Sequence, residues 1–109
     1  MSAPGLGELE QLVLLAIARL GDSAYGVAVR AEIANRTRRD LSFGSVYTAL
    51  GRLEEKGFLT SHLGEPTPER GGRRKKHYTI SAAGRRALQR SLQAIRAMTH
   101  GIDASWGTP

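Results

Sequence analysis

Hydroxyl and basic side chains that could bind a ligand lie on one predicted helix in the first half of the chain. Within residues 42–59, four apolar residues recur at intervals of three and four, which predicts a helix with one buried face. They are Val46, Ala49, Leu50 and Leu53. The other face carries Ser45, Thr48, Arg52 and Glu55. A helix that begins with small hydrogen-bonding groups and continues with charge is suited to enter a groove.

Five basic residues between positions 70 and 76 form a second candidate binding segment. They are Arg70, Arg73, Arg74, Lys75 and Lys76. The whole chain has sixteen Lys and Arg against ten Asp and Glu, which gives a formal net charge of +6 at pH 7. This excess could serve solubility alone. Its concentration around Gly71 and Gly72 favours a polyanionic partner, because glycine lets the backbone approach a ligand closely.

Only some of these basic residues can touch one partner. Alternation along a strand would place Arg74 and Lys76 on one face, with Arg73, Lys75 and His77 on the other. If the partner is a DNA duplex, each phosphate neutralised should steepen the log-log salt dependence of binding by about 0.9.

The predicted helix also suggests how roles are divided on a duplex. The N-terminal part of such a helix faces base edges, so we expect Ser45 and Thr48 to contact bases, with the Thr48 methyl group able to meet a thymine methyl. Tyr47 and Arg52 are expected to contact phosphate. Two alternatives stay open: Tyr47 could be a core residue, and Arg52 could pair with a neighbouring glutamate, Glu54 or Glu55.

Two further helices are predicted before this one. From Leu6 to Leu20 the apolar residues follow the helical period, and Gly21 ends the run. A second helix is expected from about Ala24 to Asn35, with Asp22 or Ser23 as its N-cap. The residues predicted to pack it on the first helix are Val27, Ile33 and Ala34.

The residues at the ends of these helices have mainly structural interpretations. Tyr25 and Gly26 are expected to supply a ring packed on the core and a close contact between helices. Leu41 could add a very short strand before the third helix. Ser42 is the predicted N-cap of that helix, and Gly57 is the predicted left-handed residue that ends it.

The pattern then changes to a hairpin. Residues 58–63 and 75–80 are rich in Phe, Leu, Thr, His, Tyr and Ile, which suit strands. Residues 64–72 between them hold two prolines and three glycines, which indicates a connecting loop. Three helices followed by a hairpin with a basic loop predict a mainly α fold of the winged helix-turn-helix type.

A fourth helix is predicted from the cap Ser81 to about Ile102. Apolar residues follow a heptad-like spacing interrupted by Thr99, and the helix would be about 30 Å long. So long a stripe exceeds what the small hairpin domain can cover, so we predict a dimerisation helix. Folding back onto the chain's own domain is the alternative. The predicted dimer contacts are Leu88, Leu92, Ile95, Met98 and Ile102.

The chain divides into one folded domain and its extensions. We expect a disordered N-terminus over residues 1–5, the winged helix-turn-helix domain over 6–80, the dimerisation helix over 81–104 and a flexible tail over 105–109. The longest apolar run, Leu12 to Ala18, is far shorter than the roughly 20 residues of a membrane span. Acidic residues precede it, which is unlike a secretory signal. A cytoplasmic location without membrane association is expected.

Catalytic and metal functions find little support. The chain has no cysteine, which excludes disulfides, thiolate zinc sites and cysteine nucleophiles. His62, His77 and His100 lack a carboxylate at ligand spacing, so we expect no metal site. No triad, carboxylate pair or phosphate-binding glycine loop emerges, so neither an enzyme nor a cofactor is predicted.

Several segments together resemble the PadR family of bacterial transcriptional regulators. They are Tyr25-Gly26, Gly44-Ser45-Val46-Tyr47 with Leu50, Arg52 to Gly57 with Leu59, Gly72 to Tyr78, and Ser81 with Gly84. A leucine-rich helix that ends in Glu-Lys-Gly is common among winged-helix proteins. The ordered set with these spacings is what carries the resemblance, and it covers most of the chain.

The resemblance implies a homodimer with two recognition helices in successive major grooves of an inverted-repeat operator, and repression of nearby genes. Some members of the family release DNA when a phenolic or drug-like molecule binds between the dimer helices. Drug-binding members carry an aromatic residue in the middle of the last helix, where this chain has Ile95 and places its only tryptophan at Trp106. The resemblance therefore supports DNA binding and leaves a small hydrophobic effector open.

The leading hypothesis is a dimeric, sequence-specific DNA-binding repressor. A first alternative is a winged-helix protein-interaction module, whose basic hairpin would only tune solubility. A second is sequence-independent binding to a chromosome or to RNA. Replacing the hairpin arginines separates the first alternative from the leading hypothesis, and Thr48→Ala separates the second.

Overall fold

The computed structural model describes residues 5–66 and 74–102, which form four α-helices and one antiparallel hairpin. The helices are α1 (Glu8–Leu20), α2 (Gly26–Thr37), α3 (Phe43–Glu55) and α4 (Ala82–Thr99), and the strands are β1 (Leu59–Pro66) and β2 (Arg74–Ile80). The predicted mainly α fold with a small hairpin is confirmed. The predictions for residues 1–4 and 103–109 lie outside the described residues.

The core forms where the apolar faces of the first three helices meet the hairpin. Val13 and Leu14 of α1, Val29 of α2 and Leu50 and Leu53 of α3 are fully buried. Their spacing is the helical period predicted from the sequence, so each helix places one face inward. Phe58, Leu59 and Tyr78 continue this core into the hairpin.

The start of α2 differs from the prediction. Asp22 and Ser23 do not cap it, because they lie in a 3₁₀ turn that follows α1. The N-cap is Tyr25, whose extended backbone forms an isolated antiparallel bridge with His77. The adjacent N–H of Tyr78 donates to the carbonyl of Ala24 at 2.8 Å. Pairing with the hairpin therefore delays the helix until Gly26.

Two predictions for α2 and its exit are also wrong. Val27 was expected to pack on α1 but is 52% exposed, and Val29, two residues further along and on nearly the opposite side of the helix, is buried instead. Leu41 forms no strand. Its carbonyl accepts a hydrogen bond from Arg30 Nε at 2.5 Å, so the segment before α3 is held by a side chain of α2.

The ends of α3 agree with the sequence. The Ser42 hydroxyl oxygen accepts from the N–H of Ser45 at 3.1 Å, which satisfies one amide of the first turn. Beyond the other end, Gly57 has a φ of 78°, the left-handed conformation that glycine adopts without strain. The chain then turns directly into β1.

The two predicted strands pair in antiparallel register. Leu59 is opposite Ile80 and Leu63 is opposite Lys76, and the register shifts between Leu63 and Pro66. A single antiparallel bridge also pairs Tyr25, the residue before α2, with His77 of β2. The hairpin is therefore attached to α2 as well as following α3.

The first half of α4 packs on the domain. The Ser81 hydroxyl caps the helix by accepting from the N–H of Gly84 at 3.0 Å, and it donates to the carbonyl of Gly57 at 2.6 Å. Gly84 lies against Phe58, where a Cβ atom would come within 2.1 Å of the carbonyl oxygen. These contacts fix α4 beside the end of α3.

The exposed apolar residues of α4 begin later along the helix than the predicted dimer contacts. Leu88 is only 7% exposed and lies in the core of its own domain, so it offers little surface to a second chain. Leu92 is partly buried against that core. Ile95 and Met98 are 50% and 77% exposed. The helix ends at Thr99, slightly before the predicted end at Ile102, and Gly101 follows with a φ of 86°.

Candidate nucleic-acid interface

The outer face of α3 presents the polar residues that the sequence predicted. Ser45, Thr48 and Arg52 are exposed, while Val46 and Leu50 on the opposite face are fully buried. The Ser45 and Ser42 hydroxyl oxygens lie 2.8 Å apart and share a hydrogen bond. The periodicity of the helix thus separates a packing face from a polar face at the surface.

Tyr47 lies between these two faces and is 48% exposed, which excludes its alternative interpretation as a core residue. Its ring lies across Gly26, where a Cβ atom would come within 2.6 Å of the Tyr47 hydroxyl oxygen. The predicted close contact at Gly26 is therefore confirmed. Because α2 supports one side of the ring, the phenol is held at the surface.

Arg52 borders a cleft on the side of α3 that faces away from Tyr47. This cleft of about 650 Å³ lies between the start of α1 and α3. Its polar lining comprises Glu8, Glu10, Ser42, Ser45, Thr48 and Arg52. Among the described residues Arg52 forms no salt bridge with Glu54 or Glu55, and its charge instead helps to lower the pKa of Glu10.

A buried carboxylate below this cleft fixes α1 to the end of α3. Lys56 Nζ donates to the two carboxylate oxygens of Glu10 at 2.7 and 3.0 Å, and the N–H of Gly7 donates to the same group at 2.8 Å. Burial alone would raise the pKa of Glu10, but the hydrogen bonds from Lys56 and Gly7 outweigh it and lower that pKa. Glu10 is therefore ionised, and its charge stabilises the contact of α1 with Lys56.

The hairpin presents its two central lysines in different directions. Lys75 Nζ lies 4.2 Å from the centroid of the Tyr25 ring, and the same ring meets His77 edge-on at 5.7 Å. Lys76 points to the other face, where its Nζ lies 3.2 Å from a carboxylate oxygen of Glu54. The predicted alternation along this strand is therefore seen in its described part.

Glu54 joins α3 to both strands, a role that the sequence analysis missed. Its carboxylate accepts from the Ser61 hydroxyl of β1 at 2.8 Å and pairs with Lys76 of β2. The hydrogen bond from Ser61 is the main cause that lowers the pKa of Glu54. The hydrogen bond to Glu54 is the main cause that raises the pKa of Lys76. Both groups are thus held in their charged forms.

A groove of about 750 Å³ separates α3 from the hairpin. Its lining brings together Tyr47, Gly51, Glu54, Arg74, Lys75 and Lys76. Ser45, Thr48 and Arg52 lie on the other side of α3, so the helix forms a ridge between two clefts. Arg70 and Arg73, which were also predicted to bind, lie outside the described residues.

Phe43 is a further exposed residue at the start of α3 that the sequence analysis did not single out. Its ring is 46% exposed, and the guanidinium carbon of Arg30 lies 4.4 Å from the ring centroid. The sequence shows an aromatic residue directly after the capping serine, which could have drawn attention to Phe43. It cannot show the contact with Arg30, because that contact depends on how α2 packs.

Within residues 5–66 and 74–102, no group of three or more His, Asp or Glu side chains could hold a metal ion. The His62 and His77 rings stack with their centroids 5.5 Å apart, which explains their proximity as a cross-strand pair. Among the helices that the structure describes, none combines the length and apolar character needed to cross a bilayer.

Three packed helices followed by a basic antiparallel hairpin, with the third helix exposed on its polar side, define a winged helix-turn-helix protein. The chain belongs to the transcriptional regulator PadR-like family, whose model matches residues 13–90. It is therefore a transcriptional regulator of the PadR-like type. No curated protein matches the chain.

Solved structures of the same family share this fold. A PadR family transcription regulator from Clostridium difficile R20291 is 25% identical, with a TM-score of 0.71 over 93% of this chain and 100% of that one. A PadR family regulator from Eggerthella lenta is 25% identical, with a TM-score of 0.68 over 94% and 88%. A PadR-like regulator from Bacillus cereus is 20% identical, with a TM-score of 0.73 over 93% of each chain.

Proposed function

We propose that this regulator is a homodimeric repressor that binds a specific DNA duplex, with α3 in the major groove and the hairpin over adjacent phosphates. The observation that carries the proposal is the exposure of Ser45 and Thr48 on a helix whose opposite face is fully buried, beside a basic hairpin. Such a ridge is narrow enough for the major groove of DNA, which is about 12 Å wide. Action on DNA implies a cytoplasmic location.

Base recognition is assigned to Ser45 and Thr48. Their hydroxyls can hydrogen-bond several bases, and the Thr48 methyl can contact a thymine methyl, so sequence discrimination is moderate. Ser45 lies within the first turn of α3, where recognition helices contact base edges.

Phosphate contacts are assigned to residues on both flanks of the ridge. Tyr47 presents its phenol toward the groove beside the hairpin, and Arg52 extends on the other side. Arg74 and Lys75 supply cations from β2, and Arg70 and Arg73 supply more from the preceding segment. Such contacts position the protein without reading sequence.

The homodimer is assigned to the second half of α4. Ile95 and Met98 are three residues apart on a helix and both are exposed, so they form an apolar stripe that a second copy can cover. Leu92 connects this stripe to the domain core. A twofold dimer would present two copies of α3 about one helical turn of DNA apart. The proposal includes no effector.

Fluorescence anisotropy on the gene's own upstream DNA and on a scrambled duplex, at two salt concentrations, tests the proposal. We expect tighter binding to the upstream DNA and weaker binding to both duplexes at higher salt. Equal affinity for the two duplexes would contradict sequence specificity. Absence of binding to either would favour the protein-interaction module.

A second experiment addresses base recognition directly. We expect Thr48→Ala to reduce the ratio of affinities for upstream and scrambled DNA, because the residue contacts bases. Arg52→Ala should weaken both affinities by a similar factor, because phosphate contacts are independent of sequence. A uniform loss in both variants would place Thr48 among the phosphate contacts.

A further inference from the structure

Among the described residues that line the groove between α3 and the hairpin, one is acidic and three are basic. Glu54 lines it together with Arg74, Lys75 and Lys76. A carboxylate beside a phosphate costs affinity, because like charges repel each other at close range. Its presence there calls for a role that a purely attractive DNA surface does not explain.

Glu54 is fixed in the groove by neutral as well as charged contacts. The Ser61 hydroxyl donates to one carboxylate oxygen at 2.8 Å, and Lys76 Nζ lies 3.2 Å from the other. The side chains of Glu54 and Lys76 are 29% and 51% exposed, so the ion pair itself adds little to stability. The Ser61 hydrogen bond orients the carboxylate toward β2.

The neighbouring lysines of β2 therefore offer different amounts of free charge. Lys75 Nζ lies over the Tyr25 ring, a contact that leaves its positive charge uncompensated. Lys76 is compensated by Glu54. Lys75 and Lys76 thus differ in charge compensation, because Lys75 contacts an uncharged ring and Lys76 contacts a carboxylate.

We propose that Glu54 withholds Lys76 from DNA phosphate and so limits the sequence-independent part of the affinity for DNA. This inference rests on the proposed DNA-binding function. Sequence-independent affinity grows with the number of phosphates that the protein neutralises, whereas base contacts do not depend on that number. Removing one cation from the count lowers the affinity for operator and non-operator DNA by a similar factor and leaves readout by Ser45 and Thr48 unchanged.

The test compares the salt dependence of binding to scrambled duplex for four full-length variants. Glu54→Gln keeps the shape of the side chain and removes its charge, which releases Lys76. Lys76→Gln and Lys75→Gln form a matched pair of neighbouring substitutions. Glu54→Gln combined with Lys76→Gln asks whether any gain in Glu54→Gln depends on the released lysine.

We expect the log-log slope of Glu54→Gln to steepen by about 0.9, so that its affinity falls about 3.5-fold more than that of the wild type when salt rises fourfold. Lys75→Gln should flatten the slope by about 0.9. Lys76→Gln alone leaves the Glu54 carboxylate uncompensated beside phosphate and should weaken binding, so the requirement for Lys76 is read from the double variant. The double variant should return to the wild-type slope. In Glu54→Gln, the affinities for operator and scrambled duplex should rise by a similar factor at low salt, so that their ratio stays unchanged.

Ser61→Ala separates charge compensation from mere attachment of the hairpin. It removes the hydrogen bond to Glu54 and retains both charges, so we expect a lower melting temperature without a steeper slope. If Glu54→Gln weakens binding without steepening the slope, Glu54 only supports the fold and the inference is wrong.

The inference is also overturned if the double variant keeps the steeper slope of Glu54→Gln, because the gain would then not depend on Lys76. Failure of the underlying function would look different. In that case the wild-type protein would not bind either duplex, and no slope could be compared.

Discussion

Helices α3 and α4 begin in the same way and bury their apolar faces differently. Each is capped by a serine whose hydroxyl oxygen accepts the N–H three residues later, Ser42 in α3 and Ser81 in α4. The apolar face of α3 is buried along its whole length, whereas α4 buries only Gly84, Ala87 and Leu88 of its first half. One helix completes its own domain, and the other leaves an apolar stripe exposed.

Amphipathic spacing alone therefore does not reveal what covers the apolar face of a helix. In α3 the buried face is matched by α1 and α2, so its polar face is held firmly at the surface. In α4 the second half extends past the domain core. Substitutions along the two helices should therefore act on different properties of the protein.

The largest expected effect on folding comes from the buried face of α3. Leu50→Ala should lower the free energy of unfolding by about 3 kcal/mol, because it removes a fully buried side chain and leaves a cavity. Met98→Ala on α4 should change it by less than about 0.5 kcal/mol at protein concentrations low enough for monomer. Urea unfolding followed by circular dichroism measures both. Equal losses of unfolding free energy in the two variants would contradict the difference in burial between α3 and the second half of α4.

A charge in the exposed stripe of α4 should act on assembly instead. Ile95→Glu should weaken dimerisation by about 2 kcal/mol or more, because a dimer would bury an unpaired carboxylate. Sedimentation velocity should show monomer for this variant and dimer for the wild type. Gln93→Glu, at an exposed polar position on the same helix, is the matched control. A dimer in both variants would place the interface elsewhere.

Replacing glycine by alanine should change the stability of the protein in opposite directions in the two helices. Gly84→Ala should destabilise the protein by about 2 kcal/mol, because the added Cβ atom would meet the Phe58 carbonyl oxygen at 2.1 Å. Gly51→Ala in α3 should stabilise it by up to about 1 kcal/mol, because nothing lies within 4 Å of the added atom and alanine favours helix. Thermal unfolding measures both, and a loss of stability in Gly51→Ala would contradict the open space at this position.

The smallest expected effect concerns the link between α1 and the end of α3. The pKa of Glu10 in the folded protein lies below its ordinary value of 4.5, so its contribution to stability is present above pH 4.5 and is lost as the pH falls through the lower folded value. Glu10→Gln should cost roughly 1 kcal/mol at neutral pH. This difference from the wild type should shrink under acid conditions.

Thermal unfolding across that pH range tests the Glu10 contribution. The exposed carboxylate of Glu55 provides the control, since Glu55→Gln at neutral pH should change the free energy of unfolding by less than about 0.5 kcal/mol. A Glu10→Gln difference that persists in acid would show that packing rather than charge carries the effect.

Local features of the fold could be predicted from the sequence because their causes are local. The cap at Ser42, the turn at Gly57 and the two faces of α3 each follow from neighbouring residues and the helical period. The start of α2 could not be predicted in this way. It depends on the pairing of Tyr25 with His77, which lies far along the chain.

The candidate site was predictable in part for the same reason. Exposure of Ser45 and Thr48 follows from the period of one helix. The partner of Glu54 does not, because Lys76 reaches it only after the hairpin has folded back. Leu88 shows the same limit, since heptad-like spacing cannot distinguish the chain's own core from that of a second copy.

The contact between Gly26 and Tyr47 couples residues that belong to different helices. Any larger side chain at position 26 would have to displace the tyrosine ring, since a Cβ atom there already falls within 2.6 Å of it. A substitution in α2 would therefore move the phenol that we propose contacts phosphate. Among relatives of this protein, we expect the identities at these two positions to vary together.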